Sequence, residues 1–135
     1  MPGGRQNNEI RICVDVDSVV AYPNHGDYAN AKPIILGIEN VNRLYDEGYY
    51  IFLHTSRYTQ RFPGRAWQIG YIELKEWADK YRLKYHEIIM NKPPYDLIID
   101  DKAVKCEGWL EEDWKAVWER LTKTHSVNQY NERIM

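Results

Sequence analysis

Two aspartates stand two residues apart at the end of an apolar run, which is an unusual place for charged side chains. The run extends from Ile10 to Val16, and Asp15 and Asp17 lie at its end. Mutual repulsion and loss of water both disfavour two ionised carboxylates in such a position. Paired carboxylates can, however, act as a nucleophile with an acid–base partner, or as ligands of a cation. The pair therefore predicts a site that carries out chemistry.

The spacing of apolar residues predicts the elements that must hold these acids. Short apolar runs rich in β-branched and aromatic residues predict strands at 10–16, 49–55, 85–89 and 96–100. The first of these has the nearly continuous apolar character of a strand buried on both faces of a sheet. Apolar residues at helical spacing predict helices from Ile34 to Tyr45, from Trp67 to Tyr81 and from Leu110 to Leu121. Gly48 is expected to end the first helix. This alternation is typical of an α/β fold, a Rossmann-like open parallel sheet wrapped by helices.

Composition sets the broad class of protein. With 135 residues, 44% hydrophobic and 28% charged, the chain is expected to form one domain over residues 1–123, followed by a polar, loosely held tail at 124–135. No apolar window approaches the roughly 18 residues of a membrane span. The start, MPGGRQNNE, has no secretory hydrophobic region, so the cytoplasm is the expected location. A net charge of −2 makes nucleic acid an unlikely partner.

Polar residues follow the predicted strands at the edge where ligands bind in open parallel sheets. They are Asp15, Asp17, Thr55, Ser56, Arg57, Asp100 and Asp101, with Lys92 in the turn before the last strand. Four carboxylates at one edge need a cation between them, and hard oxygen ligands without His or Cys suit Mg²⁺. The hydroxyls and the lysine then form a cradle for a phosphate. Cys13 and Cys106 have no metal-ligand spacing and are expected to be reduced thiols.

The order DVDSV, HTSR and NKPPYDLIIDDKA resembles the four motifs of the haloacid dehalogenase-like (HAD) phosphohydrolases. The resemblance runs from about Arg11 to about Lys105. It is greatest to small, capless HAD proteins linked to capsular or surface-polysaccharide biosynthesis. It implies a HAD-type fold and a Mg²⁺-dependent phosphatase that hydrolyses a small phosphate monoester, such as a sugar or polyol phosphate, through an aspartyl phosphate.

The resemblance also assigns roles to single residues. Asp15 would be the nucleophile, and Asp17 would protonate the leaving oxygen and then activate water. Thr55, or alternatively Ser56, would bind a phosphate oxygen, and Lys92 would neutralise the phosphate and hold Asp15. Mg²⁺ would be held by Asp15, Asp17, Asp100 and Asp101, with Asp17 contributing its backbone carbonyl. After the second acid the family usually has Gly-Thr-(Leu/Val), whereas this chain has Ser18-Val19-Val20 and so lacks one hydroxyl.

Neither interval between the motifs has room for a large cap domain. Two loops are therefore expected to cover the site, YPNHGDY (22–28) and RYTQRFPGR (57–65), unless a homo-oligomer closes it. The candidates for substrate contact in these loops are Tyr22, His25, Arg57, Arg61 and Arg65. The alternative for the arginines is that they are solvated loop charges. The 11 Tyr and 5 Trp residues are explained first by core packing and second by an interface or lid.

Other functions stay open at this point. A HAD-type nucleic-acid 3′-phosphatase and a non-catalytic HAD protein that binds a phosphorylated ligand share the same motifs. A response-regulator receiver is disfavoured because the middle strand ends in Thr-Ser without an aspartate. A DxD glycosyltransferase is disfavoured by the short chain. His25, His54 and His86 lack partners at ligand spacing and are expected to have packing or surface roles.

Overall fold

A computed structural model describes the backbone of residues 6–134 and the side chains of residues 6–125. Three parallel strands lie in the order β1-β2-β3: β1 is Arg11–Asp15, β2 is Tyr50–His54 and β3 is Glu87–Ile89. The helices are α1 (Ile35–Asp46), α2 (Ala66–Lys80) and α3 (Glu111–Ile134). Short 3₁₀ turns occupy Asn7–Glu9 and Tyr28–Asn30. The predicted α/β fold with an open parallel sheet and no large cap is confirmed.

The core lies on one face of this sheet. Val14, Leu53 and Ile88 are in register across the three strands, and all three side chains are buried. Both βαβ crossovers step across the sheet in the same direction, and since such crossovers are right-handed, α1 and α2 cover the same face. The prediction that the first strand is buried on both faces was therefore wrong, because Arg11 and Cys13 are exposed on the opposite face.

The predicted helices are present with small changes at their ends. Gly48 ends α1 as expected, in a left-handed conformation with φ of 96°, and its N–H donates to the Tyr45 carbonyl at 3.0 Å. α3 packs against α1, where the Trp118 indole donates to Asn40 at 3.2 Å. α3 also continues through most of the predicted tail, 124–135, whose side chains from residue 126 onward lie outside the described part. The looseness of that tail stays a prediction.

The predicted strand at 96–100 was wrong. These residues form no strand, and Leu97, Ile98 and Ile99 are 78%, 51% and 93% exposed. Their apolar, β-branched pattern is typical of a strand, but a strand also needs a neighbouring backbone to pair with. Only residues 90–95 separate this segment from β3, and no crossover helix carries the chain to a new place in the sheet.

The intervals between the strands are as short as predicted. The chain between β1 and β2 holds a loop with one 3₁₀ turn and α1, and the chain between β2 and β3 holds a loop and α2. None of the helices in the described residues has the length and apolar character needed to cross a bilayer.

Candidate functional site

The turn after β1 positions the two aspartates. Asp15 is the last residue of β1, and its Oδ1 accepts a hydrogen bond from the Val16 N–H at 3.0 Å. The chain then doubles back, because the Ala21 N–H donates to the Val16 carbonyl at 3.1 Å and the Ser18 N–H to the Ala21 carbonyl at 2.7 Å. Ser18 adopts a left-handed φ of 72°, the conformation that glycine adopts most readily. Asp17 is thereby held at the carboxyl edge of the sheet.

Two glycines pack closely against this turn at the Val19 carbonyl. A Cβ atom on Gly37 of α1 would lie 1.9 Å from the Val19 carbonyl oxygen, and a Cβ atom on Gly108 would lie equally close, at 1.9 Å. No side chain larger than hydrogen fits at either position without movement of the backbone. The position of Asp17 therefore depends on close contact with both α1 and the chain that leads into α3.

Asp15 pairs with Lys92. The Lys92 Nζ lies 3.2 Å from Asp15 Oδ2, and the Lys92 N–H donates to the Thr55 carbonyl at 3.2 Å, so the end of β2 sets the position of the lysine. Burial raises the pKa of Asp15, with Lys92 opposing this effect and Asp17 adding to it. Burial works against the charged form of Lys92, but a hydrogen bond with Tyr95 and the Asp15 carboxylate outweigh it and raise the pKa of the lysine.

Asp17 pairs with Arg57 through two hydrogen bonds. Arg57 Nη2 donates to Asp17 Oδ1 at 2.7 Å and Nε donates to Oδ2 at 3.1 Å. The Arg57 side chain is 1% exposed, its Cζ lies 4.5 Å from the centre of the Tyr28 ring, and its Nη1 is buried without a hydrogen-bond partner among the described residues. Arg57 is therefore not a solvated loop charge. This ion pair was missed from the sequence, where the only signal was that Arg57 follows a strand end next to β1.

The hydroxyl residues at the end of β2 differ in their surroundings. Thr55 is 1% exposed, and its Oγ1 accepts a hydrogen bond from the Arg57 N–H at 3.1 Å. Ser56 is half-buried, and its carbonyl accepts a hydrogen bond from the Thr59 hydroxyl at 2.7 Å. Both residues line the edge of the sheet beside Asp15 and Asp17.

The two covering loops contact each other through Arg61. Its Nη2 donates to the Gly26 carbonyl at 3.0 Å, and its guanidinium lies 4.8 Å from the centre of the Tyr58 ring. Four of the five candidate contact residues are exposed: Tyr22, His25, Arg61 and Arg65. Arg65 directly precedes α2, and the Tyr22 ring stacks on Trp109, with ring centres 5.7 Å apart. A cavity of about 490 Å³, lined in part by Trp67, Asn91 and Lys92, opens beside the 57–65 loop.

Asp100 and Asp101 do not lie with the other two acids. Both are exposed; Asp100 Oδ1 accepts a hydrogen bond from the Lys102 N–H at 2.8 Å, and the Asp101 carbonyl accepts one from Arg120. Within residues 6–125, no three acidic, histidine or cysteine side chains stand close enough together to share a metal ion. The carboxylate donors suit Mg²⁺ chemically, but the predicted set of four is not assembled.

His54 and Cys13 lie beside Asp15 on the open face of the sheet. Asp15 and His54 are in register on β1 and β2, and Cys13 Sγ lies 3.5 Å from His54 Nδ1. Partial desolvation and the charge of Lys92 lower the pKa of His54. Partial desolvation raises the pKa of Cys13, an effect that Lys92 opposes and that Asp15 and Asp100 increase. Sequence reasoning placed neither residue near the site.

Comparison with known proteins supports the fold and leaves the function open. No protein family model matches the chain, and no curated protein matches it. A crystal structure of a protein from Vibrio cholerae, described only as an MCSG target, is similar to this chain with a TM-score of 0.69 and 26% sequence identity. The similarity covers 83% of this chain and 98% of that one. The HAD resemblance therefore stays a prediction.

Proposed function

We propose that this protein is a Mg²⁺-dependent phosphatase that hydrolyses a small phosphate monoester, such as a sugar or polyol phosphate, in the cytoplasm. One observation carries the proposal: Asp15 lies 3.2 Å from Lys92 at the carboxyl edge of a parallel sheet, two residues before Asp17. A carboxylate beside a lysine can attack a phosphoryl group whose negative charge the lysine neutralises. Lys92 also lines a cavity of about 490 Å³, and neither Asp15 nor Asp17 is among the residues that line it.

The reaction would proceed in two displacements. An oxygen of Asp15 bonds to phosphorus as the ester bond breaks, and the leaving oxygen takes a proton from Asp17. Water then attacks the aspartyl phosphate while Asp17 accepts its proton, which releases inorganic phosphate and restores Asp15. Arg57 donates a hydrogen bond to each Asp17 oxygen, so one of these two bonds would have to open before Asp17 could carry the proton that it transfers.

The proposal names Mg²⁺ as the cofactor because the site is built from hard oxygen donors. The side chains of Asp15 and Asp17 are 44% and 33% exposed, so a cation can reach them. When bound, Mg²⁺ would neutralise charge between Asp15 and the phosphoryl oxygens. Asp15 and the Asp17 carbonyl would hold it, with Asp100 and Asp101 as the further expected ligands.

A second candidate is a protein that binds a phosphorylated ligand without turning it over. It is favoured by two observations, that Asp17 is already occupied by Arg57 and that Asp100 has no contact with Asp15. Under this alternative, Lys92 and Thr55 would hold the phosphate and no bond would break.

Phosphate release from p-nitrophenyl phosphate with Mg²⁺ tests the proposal. We expect Asp15→Asn to lower turnover by at least about 100-fold, because an amide cannot attack phosphorus. Asp79→Asn, at an exposed acid on α2, is the matched control and should leave turnover unchanged. Near-normal turnover by Asp15→Asn would contradict the assigned nucleophile. Phosphate binding by the parent protein without turnover of any ester in a panel of phosphorylated metabolites would favour the second candidate.

A further inference from the structure

The cavity of about 490 Å³ lies along β3 and continues past the carboxyl end of that strand. One part of its lining is the strand and the residues that follow it, from Glu87 to Pro93. Another part is the 57–65 loop together with the first turn of α2, which includes Trp67. The volume falls within the range of about 300–1,000 Å³ that is typical of small-molecule sites. The size of the cavity therefore suits one small ligand.

Trp67 gives this cavity an aromatic surface. The residue is 54% exposed, and it lines the cavity. The Tyr71 ring, one helical turn further along α2, stacks on the indole with ring centres 4.0 Å apart and an angle of 24° between the planes. Tyr71 therefore supports one face of the indole, while a large part of the ring stays open to a ligand. An aromatic ring that is already held in place can pack on a ligand at a low cost in side-chain entropy.

The backbone of β3 supplies hydrogen-bonding groups to the same cavity. Residues 87–90 all line it, so the cavity lies at the outer edge of the strand, and β3 pairs only with β2 among the described residues. In a parallel pair, alternate residues direct their backbone groups toward the neighbouring strand. The Ile89 carbonyl accepts from the Thr55 N–H at 3.1 Å, so Ile89 faces β2 and the N–H and C=O of Ile88 face outward. A donor beside an acceptor suits hydroxyl groups, which both donate and accept.

Lys92 connects this cavity with the site at Asp15. Its side chain is the one cation among the described residues that line the cavity, and its Nζ lies 3.2 Å from Asp15 Oδ2. Two strand spacings, or about 10 Å, separate β1 from β3, a distance that a phosphorylated monosaccharide covers when phosphate and ring are taken together. An anionic group held by Lys92 can therefore lie beside Asp15 while the rest of the same molecule occupies the cavity.

We propose that the cavity beside β3 binds a cyclic sugar whose phosphate is held by Lys92, with the sugar ring packed on Trp67 and a hydroxyl group bonded to the backbone of Ile88. A sugar ring presents a face of C–H groups that packs on an indole, whereas an open-chain polyol has no such face. The exposed amide of Asn91, which also lines the cavity, offers a further donor and acceptor. That this sugar is the leaving group of the ester rests on the proposed function, but its binding does not require turnover.

Calorimetric binding of a sugar phosphate and of its open-chain polyol tests this site. The probes are glucose 6-phosphate with sorbitol 6-phosphate, and mannose 6-phosphate with mannitol 6-phosphate. In an Asp15→Asn background, which cannot form the aspartyl phosphate, we expect the cyclic member of at least one pair to bind about 10-fold more tightly than its polyol. Adding Trp67→Ala should remove most of this preference, and Trp67→Phe should keep part of it. Ile72→Ala is the matched control, because Ile72 is 57% exposed on the same helix and does not line the cavity.

Hydrogen exchange locates the bound sugar, and the outcomes separate this site from the proposed function. The cyclic phosphate should slow exchange of the Ile88 amide, and Trp67→Ala should weaken that protection. Equal affinity for ring and polyol, no binding in either pair, or a preference unchanged by Trp67→Ala would overturn the inference. Phosphate release by the parent protein is measured separately. Ring-selective binding without any release of phosphate would leave the sugar site in place and refute the proposed phosphatase.

Discussion

The buried Arg57 allows a sharp test of how the site is held together. We expect Asp17→Ala to destabilise the fold strongly, and the addition of Arg57→Met to Asp17→Ala to restore part of the loss. The reason is that Arg57 is 1% exposed and already has one guanidinium nitrogen, Nη1, without a partner among the described residues, so removal of Asp17 leaves a buried cation unpaired. A methionine at position 57 fills much of the space of the apolar part of the arginine side chain and brings no charge into the interior.

The expected size follows from the exposure of the two partners. Breaking a fully buried pair by removing one partner costs about 3–5 kcal/mol. The expected cost is smaller here because the Asp17 side chain is 33% exposed. The Tyr28 ring, 4.5 Å from Arg57, also partly compensates the guanidinium charge. We therefore expect Asp17→Ala to lower the free energy of unfolding by about 2–3 kcal/mol, and Arg57→Met to recover about 1 kcal/mol of that loss.

Urea unfolding followed by tryptophan fluorescence measures these free energies, and the four proteins of the double-mutant cycle give the coupling between the two residues. The m-values should be equal, which would show that the variants share one folded state. A double variant less stable than Asp17→Ala alone would refute the reasoning. It would mean that the Arg57 guanidinium, after Asp17 is removed, is compensated by water or by another group and does not destabilise the fold.

Two further predictions concern the turn and the nucleophile. Gly108→Ala should lower the free energy of unfolding by about 1–3 kcal/mol more than Gly64→Ala does, as measured by thermal and urea unfolding. Both residues have positive φ, but only a Cβ atom at position 108 would lie against Val19. Equal losses of stability would contradict the close packing of Gly108 on the turn. Burial raises the pKa of Asp15 above its ordinary value of 3.8, so the folded state binds this proton more tightly than the unfolded state does. The free energy of unfolding therefore falls as the pH rises from the ordinary pKa through the raised one. Asp15→Asn should therefore be more stable than the parent at pH 7 and equal to it below the ordinary pKa; a constant difference at every pH would contradict this.

Much of the fold could be predicted because its determinants are local. Apolar runs and helical spacing identified the three strands and three helices found among residues 6–134, and Gly48 ended α1 where expected. The contact between Asp15 and Lys92 was expected from the HAD resemblance, and the rule that polar strand ends of a parallel sheet share one edge agrees with it. The segment at 96–100 shows the limit of such patterns, since its residues have strand character but no paired neighbour in the structure.

By itself, then, the sequence determined the order of strands and helices and the kinds of side chain that meet at the edge of the sheet. Only the tertiary structure decided that Arg57 is buried against Asp17, that Gly37 and Gly108 pack closely against the turn, and that Asp100 stands apart from Asp15. The physical reason is that periodicity reports the preferences of neighbouring residues along the chain. Burial of a charge, close approach of backbones and pairing of an edge depend on groups that are distant in sequence and are brought together only by folding.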